Sequence, residues 1–242
     1  MKKAINLSVV VPVFNEEKRL PKNLEKIITY LKKGKASYEV ILVDDGSTDK
    51  TWDVLNDFKN LYPSTVLKRH KENMGKGAAV KTGMLASNGK LVLMTDCDLS
   101  TPMEELKILL QYIKSHDIVI GSRRLKEKKL GRLPERYRTF LGDIYYELLR
   151  LILLPAVKDT NCGFKLFSKE VIKPVFNRQK INRWGYDAEV LFIADKLNFK
   201  IKEVPVKWTH YAGSKVKIFD AVTKTLGELL QIKINNLKGF YD

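Results

Sequence analysis

Cysteine is nearly absent: Cys97 and Cys162 are the only two in 242 residues. Two cysteines make no disulfide framework, and a reduced, cytosolic setting fits them. The three histidines, His70, His116 and His210, are scattered, and neither H-E-x-x-H nor C-x-x-C occurs, which argues against a zinc site. There is no G-x-S-x-G elbow, no P-loop spacing, and no G-x-G-x-x-G after the first strand-like segment. Those gaps remove an α/β-hydrolase nucleophile, a Walker-type phosphate loop and a dinucleotide oxidoreductase. No stretch reaches ~18 uninterrupted apolar residues, so no spanning helix is expected. The longest apolar run, Leu151 to Val157, contains Pro155. Met1-Lys2-Lys3 leads straight into a strand-like segment, without a signal-peptide pattern.

Acidic residues are outnumbered, 28 against 44 basic ones, for a net charge of +16. Such a charge suits an anionic partner: nucleic acid, an acidic membrane face or phosphorylated small molecules. Scattered lysines need only keep the surface soluble, but eight basic residues against two acids lie between Arg123 and Arg138. A nucleic-acid-binding module would rest on the charge alone. No aromatic-basic interleaving supports it, so no nucleic-acid partner is expected. Hydrophobic residues at 44% with 30% charged fit a globular chain. At ~150 residues per domain the length allows one large domain or two small ones. No linker, repeat or low-complexity segment divides it, so residues 1–242 read as a single domain.

Strand and helix signals alternate in the first half. Leu7 to Val13, Tyr38 to Val43, Leu91 to Thr95 and Ile118 to Ile120 read as buried strands, with Thr65 to Arg69 a weaker one. Helices are expected from Leu20 to Leu31, around Trp52, Leu55 and Phe58, and from Ala78 to Ala86. Another is expected after Thr101, with Thr101 as N-cap, Pro102 at the first helical position and Glu104 completing a capping box. In the second half Arg124 to Arg138 reads as a basic loop and Phe140 to Leu154 as an amphipathic helix. Phe164 to Phe167 reads as a short strand and Tyr186 to Leu197 as a helix. Ile201 to Trp208 reads as an edge strand bearing Pro205, and Val216 to Leu237 as a long helix. This is an α/β chain with a mostly parallel central sheet and helices on both faces. In such sheets ligands bind beyond the carboxyl ends of the strands. That rule gathers Asn15-Glu16, Asp44-Asp45, Asp96-Asp98 and Arg123 along one edge.

The acidic pairs carry the first chemical signal. Asp96 and Asp98 offer hard oxygen ligands to Mg²⁺ or Mn²⁺; as turn residues, Asp98 alone could assist the next helix. Asp44 and Asp45 could accept hydrogen bonds from a ribose or a base N–H, whereas Gly46, Ser47 and Asp49 suit a turn and a helix start. In Asn73-Met74-Gly75-Lys76-Gly77 the glycines would let backbone amides approach an anion at a helix N-terminus. Cys162 reads as a small residue in a tight turn.

Taken in order, VVVPVFNEEKRL (9–20), VILVDDGSTDKT (40–51), NMGKGAAVKTGM (73–84) and MTDCDLSTP (94–102) resemble the family-2 glycosyltransferases. IGSRR (120–124), DTNCGFKLF (159–167), RWGYDAEVLFIA (183–194) and VKWTHYAGSKV (206–216) are similar to the dolichyl-phosphate sugar synthases, and closer to their glucosyl than their mannosyl branch. The resemblance spans nearly the whole chain. It implies a GT-A (nucleotide-diphospho-sugar transferase) fold. Residues 1–125 would form a nucleotide-sugar-binding half. Residues 126–242 would form an acceptor-binding half with interfacial or C-terminal helices.

The implied activity is metal-dependent, inverting transfer of a sugar from a nucleotide sugar to a polyprenyl phosphate. UDP-glucose is the first-choice donor and GDP-mannose the second. Pro12, Phe14, Glu16, Asp44 and Asp45 would line the nucleoside pocket, with Lys76 and Gly77 beside the donor. Asp96 and Asp98 would serve the metal and the donor diphosphate. Arg123, Arg138, Ser214 and Lys215 would meet the acceptor phosphate. Asp98, Arg123 and Asp187 would be the catalytic residues. Cys97 stands where the family usually has alanine. Ser100 stands where some mannose enzymes carry glutamine near the metal, which implies a different metal shell.

A phosphate acceptor has a second pKa of ~6 and is already anionic at neutral pH, so it needs no general base. Asp187 then has a donor-sugar or arginine-orienting role, or merely caps a solvent-facing helix start. With a saccharide or protein hydroxyl as acceptor, Asp187 or Glu189 would instead be the base. A lipid acceptor also implies peripheral contact with the cytoplasmic face of a membrane. Phe140 to Leu154 could lie in the bilayer interface or pack on the core, and the C-terminal helix has the same two readings.

Overall fold

The computed structural model describes residues 4–34, 36–125, 157–209 and 218–242. Arg138, Ser214, Lys215 and the expected Phe140–Leu154 helix lie outside the described residues, as does most of the basic loop. In chain order the elements are β1 (Leu7–Val13), α1 (Leu20–Lys33), β2 (Tyr38–Asp44), α2 (Thr51–Leu61), β3 (Thr65–Arg69), α3 (Lys76–Leu85) and β4 (Leu91–Thr95). A 3₁₀ turn (Met103–Glu105), α4 (Leu106–Tyr112) and β5 (Ile118–Ser122) follow. Then come β6 (Phe164–Ser168), α5 (Lys169–Arg178), α6 (Tyr186–Lys196), β7 (Ile201–Pro205) and α7 (Ile218–Leu237).

The strands form one sheet in the order β3-β2-β1-β4-β6-β5-β7. All neighbours are parallel except β6, which runs antiparallel to both β4 and β5. The sheet is buried on both faces, which is why its central strands read as continuous apolar runs. Val9, Val11, Leu42, Leu93 and Leu166 face α1, α2 and α4, while Val10, Ile41, Met94, Ile120 and Phe167 face α3, α5 and α6. Pro205 sits on β7, an edge strand, where its missing N–H costs no ladder bond.

Two local expectations are corrected. The helix after Thr101 starts later: Pro102 is extended, no side chain caps the 3₁₀ turn, and α4 begins only at Leu106. The adjoining Glu105 carboxylate is occupied by tertiary contact, its Oε2 accepting the Lys207 N–H at 3.0 Å. The segment Lys169–Arg178, for which no helix was expected, is α5 despite Pro174 in its interior. Val171, Ile172, Val175 and Phe176 bury one face of it, which outweighs the backbone bond lost at the proline.

Candidate active site

The parallel order brings the C-terminal ends of β2, β1, β4 and β5 to one edge, and the antiparallel β6 begins there. Asn15-Glu16, Asp44-Asp45, Asp96–Asp98 and Arg123 therefore stand along that edge, as the strand-end rule requires. The loop after β1 is tied to the loop after β2. The Asn15 N–H donates to Ser47 Oγ at 2.9 Å, the Glu16 N–H to Thr51 Oγ1 at 2.8 Å, and Asn15 Oδ1 accepts the Thr48 N–H at 2.9 Å. Pro12 is buried in β1, opposite Val43; Phe14 is exposed. Glu16 accepts Arg19 Nε at 2.8 Å.

The two residues at the end of β2 do different work. Asp45 anchors the glycine loop: it accepts the Met74 N–H at 3.0 Å, the Gly75 N–H at 2.8 Å and Asn73 Nδ2 at 2.9 Å. His70 Nδ1 lies 2.7 Å from the same carboxylate, and its Nε2 lies 2.9 Å from Thr82 Oγ1. Asp44 accepts the Ser47 N–H at 3.0 Å through Oδ1. Its Oδ2 is buried with no hydrogen-bond partner, although Arg69 Nε lies 3.0 Å away as an ion pair. The Arg69 guanidinium lies 4.8 Å from the Trp52 ring centroid. Arg69 and Trp52 are site neighbours that motif reading missed.

The glycine loop is built for close packing. Gly75 has φ +105°. A Cβ on Gly77 would lie 2.7 Å from Tyr186 Cβ and 2.8 Å from the Ile181 carbonyl oxygen. With Met74 and Gly75 donating to Asp45 and the Ala78 N–H donating to the Asn182 carbonyl at 3.1 Å, these amides hold protein groups. The loop contributes a side chain instead: Lys76 Nζ lies 2.6 Å from Asp96 Oδ1. Burial opposes the Lys76 charge, but Asp96 and Asp187 overcome it and hold the ammonium above its usual range.

Asp96 and Asp98 share the turn after β4. Asp98 Oδ1 accepts the Ser100 N–H at 2.9 Å. Leu99 adopts φ +51°. Both carboxylates remain partly exposed. Burial, followed by the charges of Glu16, Asp96 and Asp98, raises the intervening Cys97 thiol far above its ordinary pKa, against the opposing pull of Lys76. Lys76, paired with Asp96, thus stands against the turn that also carries Asp98. Asp96 also has a cradle: a Cβ on Gly163 would sit 1.9 Å from its Oδ2. Among the described residues no third His, Cys, Asp or Glu completes a metal cage. Two carboxylates on one turn fit Mg²⁺ or Mn²⁺, which take few protein ligands and fill the rest with water and substrate phosphate.

Beyond β5, Arg123 is clamped by buried Asp159. Its N–H, Nε and Nη2 reach that carboxylate at 2.9, 2.8 and 2.7 Å. Burial alone would lift the Asp159 pKa, but the Arg123 fork more than offsets this and holds it below the usual carboxylate range. The Trp208 ring centroid lies 5.5 Å from the guanidinium carbon. The Thr209 N–H donates to the Ser100 carbonyl at 2.8 Å, which ties this side to the Asp98 turn.

Asp187 is no solvent-facing cap. It is buried in the first turn of α6 and ion-paired with Lys165 on β6. Glu189 is buried and fully bonded: it accepts the Lys180 and Ile181 N–H groups at 2.9 and 2.8 Å and the Tyr241 hydroxyl at 2.6 Å. Burial raises the Cys162 thiol to about 11. Asp159 and Lys165 were missed as functional residues, although both stand in the DTNCGFKLF segment.

The sequence profile of glycosyl transferase family 2 matches residues 8–176. The chain is 42% identical over 242 residues to dolichyl-phosphate beta-glucosyltransferase ALG5A of Trichomonas vaginalis, covering 96% of this chain and 74% of that one. It is 36% identical to the dolichyl-phosphate beta-glucosyltransferase of Dictyostelium discoideum (98% and 76% covered) and 34% to that of Homo sapiens (96% and 76%). Among solved structures it is similar to glucosyl-3-phosphoglycerate synthase from Mycobacterium tuberculosis with UDP (TM-score 0.68, 21% identity, 94% and 80% covered). The same enzyme with Mn²⁺, UDP-glucose and phosphoglyceric acid superposes at TM-score 0.69 with 19% identity (94% and 79% covered). The fold is GT-A, and the chain belongs to glycosyl transferase family 2.

Proposed function

We propose that this chain transfers glucose from UDP-glucose to a polyprenyl phosphate, with inversion and with Mg²⁺ or Mn²⁺ at Asp96 and Asp98. The observation that carries the reading is the pairing of Lys76 with Asp96 on the turn that also carries Asp98, on the same sheet edge as the arginine clamped at the end of β5. The relatives' names point to the glucosyl donor and the dolichyl-type acceptor. A divalent ion at the two carboxylates would stabilise negative charge on the departing diphosphate. Lys76, already paired with Asp96, adds a second positive charge on that side. Asp44 Oδ2, ion-paired with Arg69 but accepting no hydrogen bond, is assigned to a base or ribose donor, with Trp52 beyond Arg69.

On the acceptor side, Asp159 pre-orients Arg123 for a phosphate. Fixing both anionic partners before reaction removes much of the entropic barrier to their meeting. A phosphate nucleophile needs no proton removed, and the bonding supports this assignment. Glu189 has spent its oxygens on the fold, and Asp187 is committed to Lys165. Asp187 acts through charge, on Lys76 and the donor end.

Peripheral membrane contact belongs to the same proposal. No described helix is long and apolar enough to cross a membrane. α7 exposes Leu230, Ile234 and Leu237 along one stripe, with Phe240 beyond it and Lys233 and Lys238 nearby. Such a face suits an anionic lipid interface. The two unbonded thiols, Cys97 and Cys162, fit the cytoplasmic side.

The test is direct. The full chain is incubated with Mn²⁺ or Mg²⁺, labelled UDP-glucose or GDP-mannose, and a polyprenyl phosphate in detergent. The expected product is a glucosylated lipid from UDP-glucose. Transfer only from GDP-mannose would overturn the donor, and no lipid-linked sugar from any donor would overturn the reading.

A further inference from the structure

Trp184 is 45% exposed, yet the backbone carrying it is held on both sides. The Asn182 carbonyl accepts the Ala78 N–H at 3.1 Å, and the Gly185 N–H donates to Glu228 Oε2 at 2.6 Å. The segment before Trp184 packs where side chains are missing: a Cβ on Gly75 would lie 2.4 Å from the Asn182 carbonyl oxygen, and one on Gly77 2.8 Å from that of Ile181. A large indole is therefore left in water on an immobilised stretch of chain. Its neighbour is Lys76, whose Nζ lies 5.7 Å from the ring centroid and 2.6 Å from Asp96 Oδ1. The indole thus stands beside the carboxylate-ammonium pair assigned to the donor diphosphate.

What attaches to a diphosphate, carries hydroxyls around its rim and offers an apolar C–H face? A pyranose does. An indole suits it, being flat, rigid and amphipathic, with little rotamer freedom to lose on contact. We propose that Trp184 is the stacking platform for the hexose ring of the donor, a specificity-determining contact that reads the sugar and not the nucleotide. A prenyl chain is the less suited occupant of this position. Its phosphate is assigned to Arg123, which has an indole of its own in Trp208 at 5.5 Å. A gluco ring, with every ring hydroxyl equatorial, lies flat on such a platform. An axial hydroxyl on the contacting face lifts the ring away.

The inference rests on the nucleotide-sugar reading above, and the experiment separates the two. Calorimetry with Mg²⁺ measures UDP and UDP-glucose binding to the full-length wild type, Trp184→Phe and Trp184→Ala, each first shown to melt cooperatively. Trp184→Ala should weaken UDP-glucose roughly 3–10-fold and leave UDP unchanged, with Trp184→Phe recovering most of the loss. If Trp184→Ala weakens both ligands equally, or neither, the platform is wrong while the donor reading stands. If the wild type binds neither ligand, the donor reading fails and takes the platform with it.

Discussion

Lys165 and Asp187 form an ion pair with both side chains almost wholly out of water. Lys165 Nζ also donates to the Cys162 carbonyl at 2.7 Å. One ammonium therefore fastens the start of α6 to the turn before β6. That turn carries Asp159, which clamps Arg123, and Gly163, which abuts Asp96. The pair thus joins α6 to the segment that holds both Arg123 and Asp96 in place.

Removing one member leaves the other charged and buried. Lys165→Met should therefore cost ~3–5 kcal/mol of stability, whereas Lys165→Met with Asp187→Asn should recover a large part of it. Urea denaturation of the two single variants and the double variant gives the coupling directly. If the double variant is no more stable than Lys165→Met, the two charges are not compensating each other.

Much of this site was legible because its parts lie at strand ends. VILVDD and LVLMTDCD announce a doubly buried strand and then its acidic turn in one stretch of sequence. The remainder depends on partners far apart in the chain. Asp45 looks like a nucleoside ligand beside Asp44, but its acceptors are filled by His70, Asn73, Met74 and Gly75, at least 25 residues away. β6 inserts between β4 and β5, pairing Thr95 with Phe164, and no local pattern in FKLFS states that neighbour or its direction. Pro174 concealed α5, since burial of one face is a tertiary effect that propensity does not register. Lys165 lies within an apolar strand, and nothing local marks it as buried. Its acid partner lies 22 positions on, across the sheet-helix interface.

The Arg123–Asp159 clamp predicts a pH effect of definite sign. The folded Asp159 pKa lies below the ordinary carboxylate value of ~3.9. The stabilisation is thus fully present above that value and fades as pH falls through the lower folded value. The stability gap between wild type and Asp159→Asn should be constant from about pH 5 to 7 and shrink below about pH 4. Urea unfolding at stepped pH measures it, and a gap that persists undiminished at pH 3 would remove the clamp as its source.

At the other end of the site, Arg69 lies between Trp52 and Asp44. Asp44→Asn should weaken UDP and UDP-glucose by a similar factor, on the order of tenfold for one charge-assisted hydrogen bond, if Asp44 meets the nucleoside as proposed. Phosphate-only ligands such as pyrophosphate should bind unchanged. Competition titrations separate these cases. A loss confined to UDP-glucose would move Asp44 to the sugar end.

Gly163 offers the sharpest separation of activity from stability. Its φ lies outside the left-handed region, so alanine is acceptable to the backbone there. The added Cβ, however, would fall 1.9 Å from Asp96 Oδ2 and 2.4 Å from its Cγ. Asp96 must yield, because its other oxygen is on Lys76 and its side chain is short. Being partly exposed, it can swing toward water without opening a cavity. Gly163→Ala should therefore keep its melting temperature within a few degrees while losing roughly 10²-fold in kcat, comparable to removing one preorganised charge contact. Asp98→Asn should lose at least as much. Gly227→Ala is the matched control: nothing lies within 4 Å of its added Cβ, in the interior of α7. That substitution should stabilise by ~0.5–1 kcal/mol and leave turnover unchanged. If Gly163→Ala turns over like Gly227→Ala, the Asp96 carboxylate does not need the position it holds, and the metal assignment at the end of β4 is lost.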